Sequence, residues 1–356
     1  MSDGQVRLYR EITGPADGPV LLLANTLGST LSVWDGQIDR LAEHFRVVRF
    51  DHRGHGRSPV PSGPYGIADL GRDALGLLDE LEVERAHICG VSIGAMTAIW
   101  MAANAADRID RLVLCSASAR LSPAEAWRDR AALVRTHGTR AIAPTVVDHW
   151  FTRWLKTRRP DVVEAMEEMV ASTPAEGYAG CAEAMGTMDL RGALGRIRAP
   201  TLVVAGAEDL ATHPGHQRTI ARGISDARYV EVERAAHVGI VEEPGVFGDL
   251  ILSHLTGSTG ETGEALSPLG AAAEPSGESN LDPRLRSAVA LATFVALRVE
   301  EELTASQVKE CLRVGMSVAE IEEVLRTTAR YADLPAADAG LAVLEAAVDA
   351  SRPDVG

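Results

Sequence analysis

The stretch 86-AHICGVSIGAM-96 decides the fold, because it places Ser92 between two glycines, after an apolar run and before a helical pattern. Gly-x-Ser-x-Gly between a strand and a helix is typical of a nucleophile elbow, a tight turn that lifts a serine hydroxyl above the edge of a sheet. Gly90 and Gly94 suit such a turn, since the neighbouring backbone comes close on both sides. We therefore predict that Ser92 is a nucleophile at the start of a helix.

An elbow requires parallel strands around it, and short apolar runs along the chain supply them. These runs are bounded by Pro, Gly or Asp and alternate with helical patterns, which is typical of parallel strands buried on both faces. Elbow and strands together predict an α/β-hydrolase fold with a mostly parallel central sheet. The predicted strands are Val20–Ala24, Val47–Phe50, His87–Cys89, Leu112–Leu114, Leu202–Ala205 and Tyr229–Val232.

A serine hydroxyl is a poor nucleophile unless a base removes its proton. In this fold the order along the chain is serine, acid, histidine, so the base is expected in a loop after a late strand. His237 meets that requirement, because it follows the strand predicted at 229–232. The alternatives are weaker, since His213 and His216 come too early and His254 lies in a helical pattern, where a surface position is expected.

Asp209 is predicted to orient this base, because it stands well into the loop after the strand predicted at 202–205. The neighbouring Glu208 is the alternative carboxylate, but we expect it to face solvent. A buried acid next to the histidine would hold the imidazole in the orientation that a general base needs.

Backbone amides are expected to stabilise the oxyanion that forms during the reaction. One donor is the N–H of Ile93, which opens the helix after the elbow. The other is the N–H of Leu27, in the loop 25–30 after the first predicted strand. The loop 51–58, DHRGHGRS, follows another strand, and we interpret its two histidines as structural.

Residues 121–190 interrupt the alternation of strands and helices with several helical patterns. Two of them are predicted at Ala124–Thr136 and Pro160–Ala171. An insertion of this size between two strands is expected to lie over the ends of the sheet as a helical lid.

The charge of this lid is uneven. Residues 121–159 carry eight basic and three acidic side chains, whereas residues 161–190 carry seven acidic and no basic ones. The basic half favours a small anionic substrate, and Arg128 and Arg135 are candidates for binding its carboxylate. The alternative is an ordinary solvated helix face.

The composition changes at the end of the first domain, which is predicted to span residues 1–256. Residues 257–280 are rich in Gly, Ser, Ala, Glu and Pro and hold four acidic and no basic side chains, which predicts a flexible linker. Residues 281–356 indicate a small helical region, in which Pro283 opens the first helix and Ser317 with Glu320 caps the third. A region of this size buries little core alone, so we expect it to pack on a partner or to form a homo-oligomer.

The composition excludes several function classes. The net charge of −15 argues against a nucleic-acid partner. The sequence has neither a transmembrane run nor the apolar segment of a signal peptide, so the cytoplasm is the expected location and no membrane partner is expected. Its four cysteines lack CxxC or metal-type spacing, which favours buried thiols, and no metal or cofactor is expected.

Over longer segments, residues 5–256 resemble the 3-oxoadipate enol-lactonases of the β-ketoadipate pathway of aromatic-acid catabolism. The resemblance implies hydrolysis of 3-oxoadipate enol-lactone to 3-oxoadipate, with Ser92, Asp209 and His237 as the catalytic triad. The segments that carry it are 24–37, 50–73, 87–96, 188–209 and 227–244, with 125–142 and 172–185 in the lid.

The same resemblance implies the oxyanion residues and the walls of the pocket. Leu27 and Ile93 match the oxyanion positions of the family. Trp34, Trp127 and Trp150 are candidates for lining the substrate pocket.

The C-terminal segments 282–297 and 300–339 are similar to carboxymuconolactone decarboxylase, which makes the lactonase's substrate and is fused to it in some bacteria. The region has about half the usual length of that domain, so it is interpreted as incomplete. Gln307 stands where the family has a histidine, and Asp338 stands where it has an asparagine. These departures favour a relic or a dimerisation element at least as strongly as an active decarboxylase.

Several alternatives stay open. Ala95 and Gly239 depart from the enol-lactonase pattern, which leaves another ester, thioester or lactone possible as the substrate. A bifunctional lactonase and 4-carboxymuconolactone decarboxylase is a further alternative, as is an isomerase or cyclase that uses the pocket without hydrolysis. Epoxide hydrolase chemistry is disfavoured, because those enzymes have aspartate at the position of Ser92.

Overall fold

A computed structural model describes residues 5–121, 123–257, 282–296 and 301–331 of the chain. The chain divides into two compact units, Met1–Ala271 and Ala272–Gly356. Within the described residues, each helix is too short or too polar to cross a bilayer. The segment predicted as a linker lies outside the described residues except for Gly257, which ends the last helix of the first unit in the left-handed conformation.

A seven-stranded sheet forms the centre of the first unit, with the order β1-β3-β2-β4-β5-β6-β7. Strands β2 to β7 pair in parallel, and β1 pairs antiparallel with β3. The strands are β1 (Arg10–Thr13), β2 (Val20–Ala24), β3 (Arg46–Phe50), β4 (Ala86–Val91), β5 (Ile109–Cys115), β6 (Thr201–Gly206) and β7 (Arg228–Val232). The predicted α/β-hydrolase fold and all six predicted strands are confirmed.

The strand β1 was not predicted. It is four residues long, its sequence REIT has no apolar run, and its residues are half-buried or exposed. An edge strand of this kind needs only one neighbour, so no strong hydrophobic pattern marks it. The central strands differ because both of their faces are covered, and β6 is buried along its whole length.

Helices cover both faces of the sheet and form the lid. The helices of the core are α1 (Asp35–Ala42), α2 (Ile67–Glu80), α3 (Ile93–Asn104), α9 (Pro214–Gly223), α10 (Gly239–Glu242) and α11 (Pro244–Thr256). The lid helices are α4 (Ala124–His137), α5 (Ala143–Asp148), α6 (Arg153–Arg158), α7 (Pro160–Ala171) and α8 (Ala175–Thr187). Short 3-10 helices occupy Leu31–Trp34, Ala106–Arg108, Thr139–Ala141 and Arg191–Arg196. Both predicted lid helices are confirmed as α4 and α7.

A pair of glycines brings the lid directly onto the core. A Cβ atom on Gly177 of α8 would lie 1.9 Å from the carbonyl oxygen of Gly54, in the loop after β3. Gly54 also has a φ of +75°, which favours glycine. Larger residues would push α8 away from the loop, so this contact sets the distance between lid and sheet.

The described part of the second unit consists of three helices, α12 (Pro283–Ala296), α13 (Glu301–Arg313) and α14 (Val318–Tyr331). The predicted start at Pro283 is confirmed. The predicted cap is also confirmed, since Ser317 N donates to Glu320 Oε2 at 2.8 Å and Glu320 N donates to Ser317 Oγ at 3.3 Å. The side chains that form its small core are Leu291, Val308, Cys311, Met316, Ile321 and Leu325. Asp338 lies outside the described residues.

Candidate active site

Ser92 stands at a sharp turn between β4 and α3. Its backbone angles are φ 55° and ψ −120°, a conformation that L-residues adopt only when the surrounding structure enforces it. A Cβ atom on Gly94 would lie 2.2 Å from Ala24 O, and one on Gly90 would lie 2.5 Å from Ala95 N. The Ser92 amide donates to Cys115 O at 3.0 Å, which ties the turn to β5. The glycines therefore allow a strained turn that presents the serine at the carboxyl edge of the sheet.

Asp209 and His237 meet at the same edge, after β6 and β7. His237 Nδ1 lies 3.0 Å from Asp209 Oδ2 and 3.1 Å from Asp209 Oδ1. Asp209 is 1% exposed and His237 is 3% exposed, whereas Glu208 is exposed, as expected from the sequence. With its Nδ1–H donated to the carboxylate, the imidazole keeps Nε2 as a proton acceptor.

Ser92 lies at the same edge of the sheet as Asp209 and His237, because the carboxyl ends of parallel strands lie on one side of a sheet. In the described part of the chain, the Ser92 hydroxyl and the His237 imidazole form no hydrogen bond with each other. Such contacts are often long in an unliganded enzyme and shorten when substrate binds.

Thr212 also holds the Asp209 carboxylate, and its hydroxyl oxygen lies 3.4 Å from His237 Nδ1. Its amide donates to Asp209 Oδ1 at 2.8 Å and its hydroxyl donates to Oδ2 at 2.9 Å. Burial would raise the pKa of Asp209, but the His237 imidazole and the Thr212 donors outweigh burial and lower it. Gln217 in turn donates to Thr212 O at 2.9 Å. Sequence reasoning missed both residues, because a threonine near a turn carries no distinctive signal.

The loop 25–30 is held so that the Leu27 amide stays available. Gly28 N donates to His55 Nε2 at 3.0 Å, and His55 Nδ1 donates to Arg53 O at 3.1 Å. Among the described residues, the N–H groups of Leu27 and Ile93 donate to no protein acceptor. One unused amide follows Ser92 in the chain, and the other lies in the loop after β2, the strand next to β4. An oxyanion site needs two such donors, so the roles of Leu27 and Ile93 stay a prediction.

Two histidines of the loop 51–58 have the structural role that the sequence predicts. Burial lowers the pKa of His55 to about 4 and that of His52 to about 3, so both are neutral near pH 7. His52 Nε2 donates to Asn25 O at 3.1 Å. The expected surface position of His254 was wrong, because its side chain is buried and donates to Pro200 O at 3.1 Å.

The three predicted pocket tryptophans occupy different environments. Trp34 is 0% exposed and its indole N–H donates to Asn25 Oδ1 at 3.0 Å, so it supports the loop 25–30 and offers no surface to a substrate. The prediction for Trp34 was therefore wrong. Trp150 is buried in the lid, and Trp127 is half-buried on α4. Their contact with a substrate stays a prediction.

The two arginines predicted to bind a carboxylate already have carboxylate partners. Arg135 Nε lies 2.8 Å from Glu176 Oε2, and its guanidinium also pairs with Glu183. Arg128 pairs with Glu125 at the surface, where the two side chains are 60% and 69% exposed. These ion pairs give no support to a carboxylate site at Arg128 or Arg135, which stays a prediction.

Three basic side chains of the lid, Arg135 among them, form ion pairs with carboxylates of its acidic half. Besides Arg135, ion pairs join Arg140 to Glu168 at 2.8 Å and Arg159 to Asp161 at 2.8 Å. Helices from the basic half thus lie beside carboxylates of the acidic half. The alternative interpretation, a solvated helix face, describes most of these residues.

Arg130 differs from its neighbours on α4. It is half-buried, its guanidinium lies 4.9 Å from the centre of the Trp127 ring, and no ion pair joins it to a carboxylate in the described residues. Its charge lies close enough to Tyr178 to offset part of the rise that burial causes in the pKa of that phenol. The Tyr178 hydroxyl is itself buried without a hydrogen bond in the described structure, and its ring borders Gly28. Arg130 thus points inward, toward the loop 25–30.

Comparison with known proteins agrees with this geometry. The pattern of the α/β hydrolase fold matches residues 19–244. The chain belongs to the α/β-hydrolase family. It is 38% identical to 3-oxoadipate enol-lactonase 2 of Acinetobacter baylyi over 238 residues, which cover 67% of this chain and 89% of that protein.

Two solved structures are similar to this α/β hydrolase. The enol-lactonase from Burkholderia xenovorans has a TM-score of 0.69 and 41% identity, covering 70% of this chain and 97% of that one. A hydrolase from Pseudomonas aeruginosa has a TM-score of 0.68 and 42% identity, covering 71% and 99%. Fold and relatives together make the protein a carboxylic ester hydrolase.

The second unit of this α/β hydrolase also matches a known protein family. Residues 261–346 match the carboxymuconolactone decarboxylase family, as the sequence resemblance implied. In the described residues of both units, no three or more His, Cys, Asp or Glu side chains are grouped so as to hold a metal ion.

Proposed function

We propose that this α/β hydrolase opens 3-oxoadipate enol-lactone to 3-oxoadipate in aromatic-acid catabolism, with Ser92 as nucleophile, His237 as base and Asp209 as the acid that orients the base. One observation carries the proposal: the buried pair with His237 Nδ1 at 3.0 Å from Asp209 lies at the sheet edge that also bears the strained serine. The similarity to two enol-lactonases supports the choice of substrate.

The reaction follows from the positions of these groups. Ser92 Oγ attacks the lactone carbonyl carbon while its proton passes to His237 Nε2, and the carbonyl oxygen becomes an oxyanion that the amides of Leu27 and Ile93 stabilise. The ring C–O bond then breaks, and the departing enol oxygen takes the proton from His237. The enol becomes the 3-oxo group by tautomerisation.

The second half of the reaction, hydrolysis of the acyl group on Ser92, returns the enzyme to its starting state. His237 removes a proton from water, and the hydroxide attacks the acyl carbon on Ser92. Collapse of this intermediate releases the carboxylic acid product, and His237 returns its proton to Ser92. Asp209 stays ionised throughout and stabilises the imidazolium, which its lowered pKa favours.

Recognition of the substrate's free carboxylate is assigned to Arg130 in place of Arg128 or Arg135. Its half-buried guanidinium lacks a carboxylate partner in the described residues, and a charged donor away from bulk water binds an anion more strongly than an exposed one. The adjacent Tyr178 hydroxyl has an unused hydrogen-bonding capacity. Arg130 is thus a half-buried lid cation that forms no ion pair in the described residues and can bind the one free carboxylate of the lactone.

The direct test is turnover of 3-oxoadipate enol-lactone by the full chain and by Ser92→Ala. We expect the wild type to hydrolyse it with a higher kcat/KM than 4-nitrophenyl acetate, and the variant to lose both activities. Preference for simple aryl esters in the wild type would reject the enol-lactone as substrate. Unchanged hydrolysis in the variant would reject the serine mechanism as well.

A bifunctional lactonase and decarboxylase is the second candidate, because the decarboxylase family matches residues 261–346. In α13, Gln307 replaces the family's histidine, and its side-chain amide donates to Ser287 O at 3.3 Å. An amide does not take up a proton near neutral pH, so this position cannot act as a general base. Release of CO₂ from 4-carboxymuconolactone by the full chain would establish the second activity, and its absence would leave a non-catalytic domain.

A further inference from the structure

Glu242 is a buried carboxylate that the mechanism above does not use. It ends α10, five residues after His237, and is 6% exposed. Oε2 accepts a hydrogen bond from Ala236 N at 2.8 Å, and Oε1 accepts from Thr152 N at 3.0 Å and from the Thr152 hydroxyl. A buried carboxylate is costly unless such donors satisfy it, so these three bonds explain how it is tolerated.

These bonds join two segments that are distant in the sequence. Ala236 immediately precedes His237, whereas Thr152 belongs to the lid and caps α6 by accepting from Leu155 N at 3.3 Å. On the other side of the histidine, Val238 N donates to Trp150 O at 3.0 Å. The amides before and after His237 are therefore both tied to lid residues 150–152, one through Glu242 and one directly.

The pKa of the Glu242 carboxyl group is raised above its usual value, as the result of opposing effects. Burial raises the pKa of its carboxyl group, the Thr152 and Ala236 donors lower it, and the nearby Glu208 carboxylate raises it further. A glutamine at position 242 would avoid the free-energy cost of burying a charged carboxylate. It would also turn an N–H group toward one of the three donors, so it cannot replace the carboxylate's two accepting oxygens.

We propose that Glu242 is a positioning residue, which sets the place of His237 by joining the histidine loop to the lid at Thr152. The proposal rests on the proposed role of His237 as the base. Lid residues 150–152 and the base then form one rigid unit, so displacement of this part of the lid would displace the imidazole. A shift of about 1 Å in a reacting group can reduce a rate by about a hundredfold.

The test compares Glu242→Gln with Glu243→Gln, which removes a neighbouring carboxylate that is only half-buried. The substrate is 4-nitrophenyl acetate, whose hydrolysis does not depend on recognition of the enol-lactone. We expect kcat to fall about tenfold or more in E242Q with KM within about twofold, and the rate of Ser92 labelling by a serine-directed phosphonate to fall in proportion. E243Q is expected to match the wild type. Wild-type kcat in E242Q, or an equal loss in E243Q, overturns the proposal.

A second pair of variants applies if E242Q fails to fold. Thr152→Ser keeps both the hydroxyl bond to Glu242 and the cap of α6, whereas Thr152→Val loses both. We expect T152S to retain wild-type kcat and T152V to lose severalfold in kcat with little change in KM. Equal kcat in the two variants rejects the link from lid to base. If the wild type hydrolyses the nitrophenyl ester but not the enol-lactone, the substrate proposal fails while this one stands.

Discussion

The loop that carries Asp209 and the outer surface of the lid both hold carboxylates with charged or polar partners, but the two regions differ in burial. Asp209 is almost completely buried and accepts bonds from Ala211, Thr212 and His237, so each alternative position of its carboxylate would leave a donor unpaired. On the lid, pairs such as Arg128 with Glu125 are mostly exposed, and water competes with each partner. Burial with complete hydrogen bonding therefore distinguishes the Asp209–His237 pair from the ion pairs of the lid surface.

The largest effect is expected from Asp209→Asn, which tests the buried region directly. The amide would turn an N–H group toward His237 Nδ1 or leave it unpaired, so the imidazole would lose the tautomer that leaves Nε2 free. Loss of this acid in a serine triad lowers kcat by about 10⁴-fold. Steady-state hydrolysis of 4-nitrophenyl acetate measures the loss. Glu208→Gln is the matched control on the exposed neighbour, and equal activities in the two variants would remove Asp209 from the mechanism.

Arg130→Ala tests whether the half-buried Arg130 binds the substrate's carboxylate, with the exposed Arg128 as the comparison. We expect KM for the enol-lactone to rise about tenfold or more, since a hydrogen bond to a charged group contributes about 1.5–3 kcal/mol. KM for uncharged 4-nitrophenyl acetate should stay constant. Arg128→Ala is the control, and a KM increase for the enol-lactone in that variant alone would return the carboxylate site to the position that the sequence predicts.

The pH dependence of folding sharpens the role of the buried histidines. The pKa of His55 is about 4 in the folded protein, below its usual 6.5, so the unfolded chain takes up the proton first as the pH falls. The stability contributed by a neutral His55 is complete above pH 6.5 and decreases as the pH falls toward 4. At pH 5 the loss is on the order of 2 kcal/mol.

Urea unfolding of the wild type and of His55→Gln at pH 7.5 and pH 5 measures that loss. Glutamine can still accept from Gly28 N but does not titrate, so the decrease in unfolding free energy between the two pH values should be smaller by on the order of 2 kcal/mol. Identical decreases in both proteins would show that His55 is not held neutral.

The smallest effect is expected from Arg135→Ala on the lid surface. Exposed ion pairs contribute about 1 kcal/mol or less, so the free energy of unfolding should fall by no more than that. KM for the enol-lactone should not change, because Glu176 and Glu183 already occupy the guanidinium. A large increase in KM would contradict the assignment of this arginine to the lid surface.

Prediction from the sequence succeeded where the signal is local. The elbow at Ser92 combines a strand, a turn and a helix within ten residues, and each central strand is a short apolar run. The edge strand β1 lacks that pattern and was missed. Trp34 was misplaced because its residue type suits a pocket and a core equally well. The ion pairs of Arg135 with α8 were not predicted, because a contact with another helix leaves no mark in either segment.

By itself, the sequence determined the order of the strands along the chain, the position of the elbow, and the pairing of Asp209 with His237. These depend on local periodicity and on a fixed order of residues. Only the tertiary structure decided which charges remain unpaired and how the base is held. Contacts such as Thr152 with Glu242, which are 90 residues apart in the sequence, form only when the lid and the sheet pack together, and burial then determines the strength of each charge.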